Sequence, residues 1–204
     1  MRYALEHFAV AVCAITGVLA ARGKHLDLFG VIVLALATAL GGGTVRDLCL
    51  AAKPVFWVQD ANYVLTASGA AVAAFGLARF LKFPDRFLLV ADAFGLALFS
   101  IVGMEKALAY AAPGPIAVLL GVVTGVAGGI IRDMMTGEVP LVFRPAIYLY
   151  ATASFCGCIA FLMLQKWHPG PGNRLVAMGL ILLLRLAAIR WKLRLPVFKH
   201  SETT

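Results

Sequence analysis

The sequence predicts an all-α polytopic membrane protein: seven transmembrane helices, built as two inverted three-helix repeats plus a seventh helix. Three observations carry this. The first is composition. Of 204 residues, 62% are hydrophobic and 14% charged, against about 45–50% and about 25% in a soluble domain. A chain this short has too little interior to hide so much apolar surface from water, and its mean hydropathy of +0.91 agrees. The second is the division of the apolar residues into seven stretches, near 4–21, 26–50, 60–81, 87–107, 115–136, 145–165 and 174–191. Each is close to the roughly 20 residues that cross a bilayer as a helix. The third is a self-match of the chain at a shift of 86 residues. A soluble enzyme, a disordered chain and a disulfide scaffold are excluded.

The elements follow in order. The first span could pass for a cleavable leader, because Leu19-Ala20-Ala21 looks like a cleavage site. Glu6 and His7 interrupt its apolar run, and the span recurs later in the chain, so it is expected to persist as a helix. The second span carries Gly41-Gly42-Gly43 and then Arg46-Asp47; the third is a plain apolar stretch. The fourth opens with one acid, Asp92. The fifth carries Gly128-Gly129 and then Arg132-Asp133, with Gly121 and Gly125 ahead of them. The sixth repeats the third, and the seventh contains Arg185. Tyr3, Trp57, Tyr63, Tyr110, Trp167 and Trp191 fall near span ends, where an interfacial aromatic belt lies.

Basic residues in the loops set the orientation. With Arg46, Arg132 and Arg185 left out as intramembrane, the N-terminal side holds five: Arg2, Lys53, Lys106, Lys166 and Arg174. The other side holds ten: Arg22, Lys24, Arg79, Lys82, Arg86, Arg144, Arg190, Lys192, Arg194 and Lys199. The positive-inside rule places the N-terminus outside and the C-terminus in the cytoplasm. Of the ten, Arg79, Lys82, Arg86, Arg190 and Lys192 are expected to meet lipid headgroups, anionic ones included. The net charge of +8 is therefore a topological label, with no nucleic acid implied.

The repeat aligns without a gap. Gly42-Gly43-x-x-Arg46-Asp47 falls on Gly128-Gly129-x-x-Arg132-Asp133, Pro54 on Pro140, and Thr66-Ala67-Ser68 on Thr152-Ala153-Ser154. Over positions 6–75 there are 17 identities in 70. Shared membrane composition does not put polar residues and prolines in register. Each copy holds three spans, so the second enters the membrane from the opposite side. The units are 1–86, 87–172, and 173–204 for the seventh helix with a basic cytoplasmic tail. Inverted repeats with interrupted helices are a common architecture for moving solutes.

The chemistry sits in the glycines and the few intramembrane charges. Three glycines in a row, each costing about 1 kcal/mol in a helix, predict a kink or unwound turn at Gly41 to Gly43. A matching break is expected at Gly128-Gly129. Carbonyls freed there could replace a cation's hydration shell; close helix packing by small residues is the alternative. Neighbouring residues on a helix diverge by about 100°, so cross-pairs Arg46–Asp133 and Arg132–Asp47 are expected. Glu6 and Asp92 are lone acids of their spans, either pore-associated or stabilising helix starts. Four acids (Glu6, Asp47, Asp92, Asp133) against two arginines (Arg46, Arg132) would favour a cation. Cys13, Cys49, Cys156 and Cys158 form no metal or redox motif and read as small apolar residues. No hydrolase, metalloprotease or nucleotide-loop motif is present. No enzyme activity, cofactor or resident metal is expected.

These motifs resemble those of the prokaryotic branch of the trimeric intracellular cation (TRIC) channels. The residues that carry the resemblance are Gly-Gly-Gly-Thr-Val-Arg-Asp at 41–47, Pro-Val-Phe-Trp at 54–57 and Ile-Val-Gly-Met-Glu-Lys-Ala-Leu at 101–108. Thr-Gly-Val-Ala-Gly-Gly-Ile-Ile-Arg-Asp at 124–133 and Gly-Glu-Val-Pro at 137–140, with Arg144 and Tyr148, complete them. The resemblance implies a homotrimer in a prokaryotic plasma membrane, with one pore per protomer at the repeat interface. It also implies that the helices bend at the glycines and pass monovalent cations, potassium and also sodium. Ala127 replaces one glycine of the second triplet. Bacterial relatives labelled as glycine transporters supply the alternative, a secondary transporter for a small amino acid.

Overall fold

A computed structural model of the chain describes residues 2–78, 80, 84, 86–144 and 149–193. Arg79, Lys82, Tyr148, Arg194 and Lys199, named above, lie outside the described residues. Helices α1 (Arg2–Ala20), α2 (Leu28–Cys49), α3 (Phe56–Gln59), α4 (Asn62–Ala78), α5 (Phe87–Ala109), α6 (Gly114–Met135), α7 (Tyr150–Trp167) and α8 (Asn173–Trp191) follow one another, with a 3-10 turn at Leu141–Phe143. Among the described residues, four segments are long and apolar enough to cross a membrane: Tyr3–Ala20, Leu28–Cys49, Phe87–Ala109 and Gly114–Met135. Helix α4 is apolar but shorter. Helix α8 carries Arg174, Arg185 and Arg190, which dilute its hydropathy.

Local chemistry sets the boundaries. The Asp27 carboxylate caps α2, accepting from the Gly30 N–H at 2.7 Å. Pro113 precedes α6 and Pro115 sits in its first turn, where a missing N–H costs nothing. Helices α2 and α6 end alike. Ala51 (φ 51°) and Gly137 (φ 71°) adopt the left-handed conformation. The Ala52 N–H then donates to the Asp47 carbonyl at 2.9 Å, and the Glu138 N–H to the Asp133 carbonyl at 2.8 Å. Positions 51 and 137, and 52 and 138, differ by the repeat shift.

Helix α5 lies at the centre, packed against α1, α6, α7 and α8, while α2 packs on α1, α4 and α6. Backbone contact across α2 and α6 is set by glycine. A Cβ on Gly42 would strike the Thr124 carbonyl oxygen, and one on Gly128 the Thr38 carbonyl oxygen. Residue 42 thus meets 124 while 38 meets 128, so the helices cross antiparallel. Gly17 abuts Thr38, and Gly103 abuts Thr124, in the same relation.

This corrects one expectation. Helices α2 and α6 remain helical through Gly41 to Gly43 and through Gly128-Gly129, with no unwound turn. The glycines remove side chains at the crossing instead of releasing carbonyls. A backbone group freed in lipid costs several kcal/mol, whereas close approach of two intact helices gains packing.

Candidate functional site

The Arg-Asp motifs occupy the last turns of α2 and α6, where arginine suits the helix dipole. They are buried, not at the surface: Arg46 is 3% exposed, Asp47 0%, Arg132 0% and Asp133 3%. The expected cross-pairs do not form. Arg46 Nε donates to Asp47 Oδ1 at 2.8 Å, and Arg132 Nε to Asp133 Oδ1 at 2.8 Å. The helix crossing sends the two motifs to opposite ends, out of mutual reach, and the long arginine stem folds back onto its neighbour. The second carboxylate oxygen ties down the returning chain, as Oδ2 of Asp47 accepts the Phe56 N–H at 2.9 Å and Oδ2 of Asp133 the Leu141 N–H at 2.8 Å.

At the α2 end, Lys106 from the last turn of α5 places its ammonium 2.9 Å from Asp47. The Phe56 ring lies 5.6 Å from the Arg46 guanidinium and 6.0 Å from the Lys106 ammonium. Tyr63 donates its hydroxyl hydrogen bond to Glu6 and stacks on His7 with ring centroids 4.5 Å apart. A cavity of about 230 Å³ opens here, lined by Glu6, Arg46, Asp60, Tyr63, Phe99 and Lys106 among others. We term it the vestibule. On its rim, the Tyr3 hydroxyl donates to Asp60 and holds that carboxyl below the usual carboxylate range.

At the α6 end, Arg132 Nη1 donates to Asp92 Oδ1 at 2.8 Å. A Cβ on Gly129 would stand 3.1 Å from the Tyr150 hydroxyl and 3.5 Å from Asp92 Oδ1, so these groups converge on bare backbone. The Arg185 guanidinium, fully buried, lies 4.6 Å over the Tyr150 ring. Between the two charged ends runs a narrow cleft of about 10 Å³, room for about one water. Cys13, Thr38, Gly42, Thr124, Gly128 and Asp92 help to line it. Asp92 Oδ2 has no hydrogen-bond partner among the described residues.

The structure therefore gathers Glu6, Arg46 and Asp47 at one end, and Asp92, Arg132 and Asp133 at the other, with Gly42, Gly43, Gly128 and Gly129 between them. Gly41 faces Ile131, away from the cleft. The exposed Arg86, Arg190 and Lys192 lie apart from the site. Two groups change the sequence reading. Lys106, assigned from sequence to a loop, is a partner of Asp47; α5 runs on to Ala109 and draws it inward. Together with Arg185 it brings the cations to four, against five acids once Asp60 of the vestibule is counted, so the expected acid surplus narrows to one among these residues. Cys13, read as inert core, lines the cleft.

Taken together these features define a polytopic membrane protein with a polar interior between two antiparallel helices. The chain belongs to the family described as glycine transporter, whose model matches it twice, at 3–79 and 89–166. The starts of the two matches differ by the repeat shift. Relatives include the UPF0126 inner membrane protein YadS of Escherichia coli K12, 43% identical over 98% of this chain and 97% of its own. A UPF0126 membrane protein of Vibrio cholerae is 43% identical over 98% of this chain and 84% of its own. Among solved structures, the TRIC trimeric intracellular cation channel orthologue from Rhodobacter sphaeroides is 39% identical, with a TM-score of 0.85 over 94% of this chain and 98% of that one. A structure described under conductance through TRIC cation channels matches with a TM-score of 0.87 at 32% identity, over 98% of both chains. The resemblance to prokaryotic TRIC channels read from the motifs holds, and these neighbours are channels, not enzymes.

Proposed function

We propose that the protein is a homotrimeric cation channel of a prokaryotic inner membrane, passing potassium and sodium through one pathway in each protomer. Seven helices span the bilayer, the N-terminus lies outside and the C-terminus inside. The units are 1–86, an inverted copy at 87–172, and the last helix with its tail, 173–204. The observation that carries the reading is the α2–α6 crossing: a cleft lined by glycines and threonines lies between two charged ends. The likeness to TRIC channels over nearly the whole chain supports it. Asp92 Oδ2, buried on the cleft, offers a cation an oxygen that no protein donor among the described residues occupies. With acids ahead of bases by only one, preference for cations arises from such local oxygens more than from net charge. Basic residues at the cytoplasmic face, Arg79, Lys82, Arg86, Arg190 and Lys192 in our reading, meet lipid headgroups.

Reconstitution in a planar bilayer under a potassium gradient tests this. The expected result is discrete unitary currents reversing near the potassium equilibrium potential. The family description supports a second reading, a secondary transporter for a small amino acid such as glycine. Saturable glycine uptake without unitary steps would establish that instead.

A further inference from the structure

The vestibule and the cleft are separate cavities, and among the described residues Phe99 alone lines both. Phe99, 7% exposed, stands between them on α5, the most buried of the four long apolar segments. The repeat shift places Cys13 of α1 at the equivalent position. Thus two symmetry-related positions line the cleft, one filled by an aromatic ring and the other by a small thiol.

The cleft's walls are held together backbone to backbone. At the crossing, Gly42 meets the Thr124 backbone and Gly128 the Thr38 backbone, so widening it there would pull the two helices off each other. A side chain needs only a rotamer change, a far smaller and faster motion. An apolar ring in a passage this narrow also excludes water, and an ion does not pass a dewetted constriction.

We propose that Phe99 is the plug of the pathway, closing the vestibule from the glycine cleft, and that the barrier is one-sided because its symmetry mate is Cys13. The proposal rests on the channel reading above. It places the barrier in a side chain of α5 and leaves the α2–α6 crossing fixed as the ring swings.

Cys13 gives a native readout. Phe99→Ala should connect the cavities and raise unstimulated potassium flux into proteoliposomes by about tenfold or more. Phe99→Leu, which keeps an apolar side chain and the fold, should fall between Ala and the parent. In detergent, the purified chains are treated with methanethiosulfonate ethylammonium, which forms a mixed disulfide at a thiol and releases methanesulfinate. Peptide mass spectrometry then reads Cys13 separately from the exposed Cys49 and Cys156. Cys13, half-buried on the cleft, should react more slowly in the parent and about tenfold faster in Phe99→Ala, the order expected when a partly shielded thiol becomes reachable from the vestibule as well. Equal Cys13 labelling in the parent and both variants, with melting temperatures unchanged, overturns the plug. Faster labelling without potassium flux in any variant leaves the plug in place and removes the channel reading.

Discussion

Asp47 holds three partners at once: the Arg46 guanidinium, the Lys106 ammonium and the Phe56 N–H. Asp47→Asn keeps the shape but leaves two cations facing a neutral amide in a buried site. Breaking a buried pair in this way costs about 3–5 kcal/mol, so a marked fall in the unfolding midpoint of the purified variant is expected. Asp133→Asn should lower it less, since it weakens the hold on the Leu141 N–H but leaves Arg132 paired with Asp92. The burial of the Arg-Asp pairs was not legible in the sequence, where position near a helix end equally suits an arginine reaching the surface. Their symmetry was legible, because both motifs recur at one spacing. Lys106 was misplaced because a span edge read from hydropathy is uncertain by more than the residue or two that decides whether a side chain points inward.

At the scale of elements, α2 and α6 depend on what their glycines lack. Gly42→Ala or Gly128→Ala forces a methyl into the facing carbonyl. Overpacking of this kind costs about 1–3 kcal/mol, and thermal unfolding should show it. Gly69, exposed on α4, has nothing within 4 Å of its missing Cβ. Gly69→Ala should leave the protein as stable or raise it by about 0.5–1 kcal/mol through helix propensity. Opposite signs at chemically identical substitutions separate contact from propensity. A second element-scale link joins the turn after α1 to the segment after α6, where Lys24 donates to Glu138 at 2.7 Å. Lys24, with Arg144 beside it, holds the Glu138 carboxyl below the usual range. Its contribution is present above the ordinary glutamate pKa and lost as pH falls through the lowered value. Amide exchange in that turn should accelerate only below that range. No single-residue pattern announced this link, whose partners lie 114 positions apart.

For the whole molecule, native mass spectrometry in detergent should report three copies, and bilayer recordings should show unitary potassium currents. One copy, or uptake without steps, would redirect the assignment. The sequence by itself determined the class, the number of apolar stretches, the repeat and the two motif positions. Hydrophobic composition and residue spacing are local quantities, written directly along the chain. Only the tertiary structure decided what the motifs do: glycines that looked like helix breakers serve a helix crossing, and arginines that looked cross-paired bind their own neighbours. It also brought Lys106 to Asp47, and Phe99 between two cavities. Those outcomes depend on which helix lies beside which, and on how closely. Packing distances between elements remote in sequence are fixed by side-chain volume at a shared contact, and a linear run of residues read alone does not contain that contact.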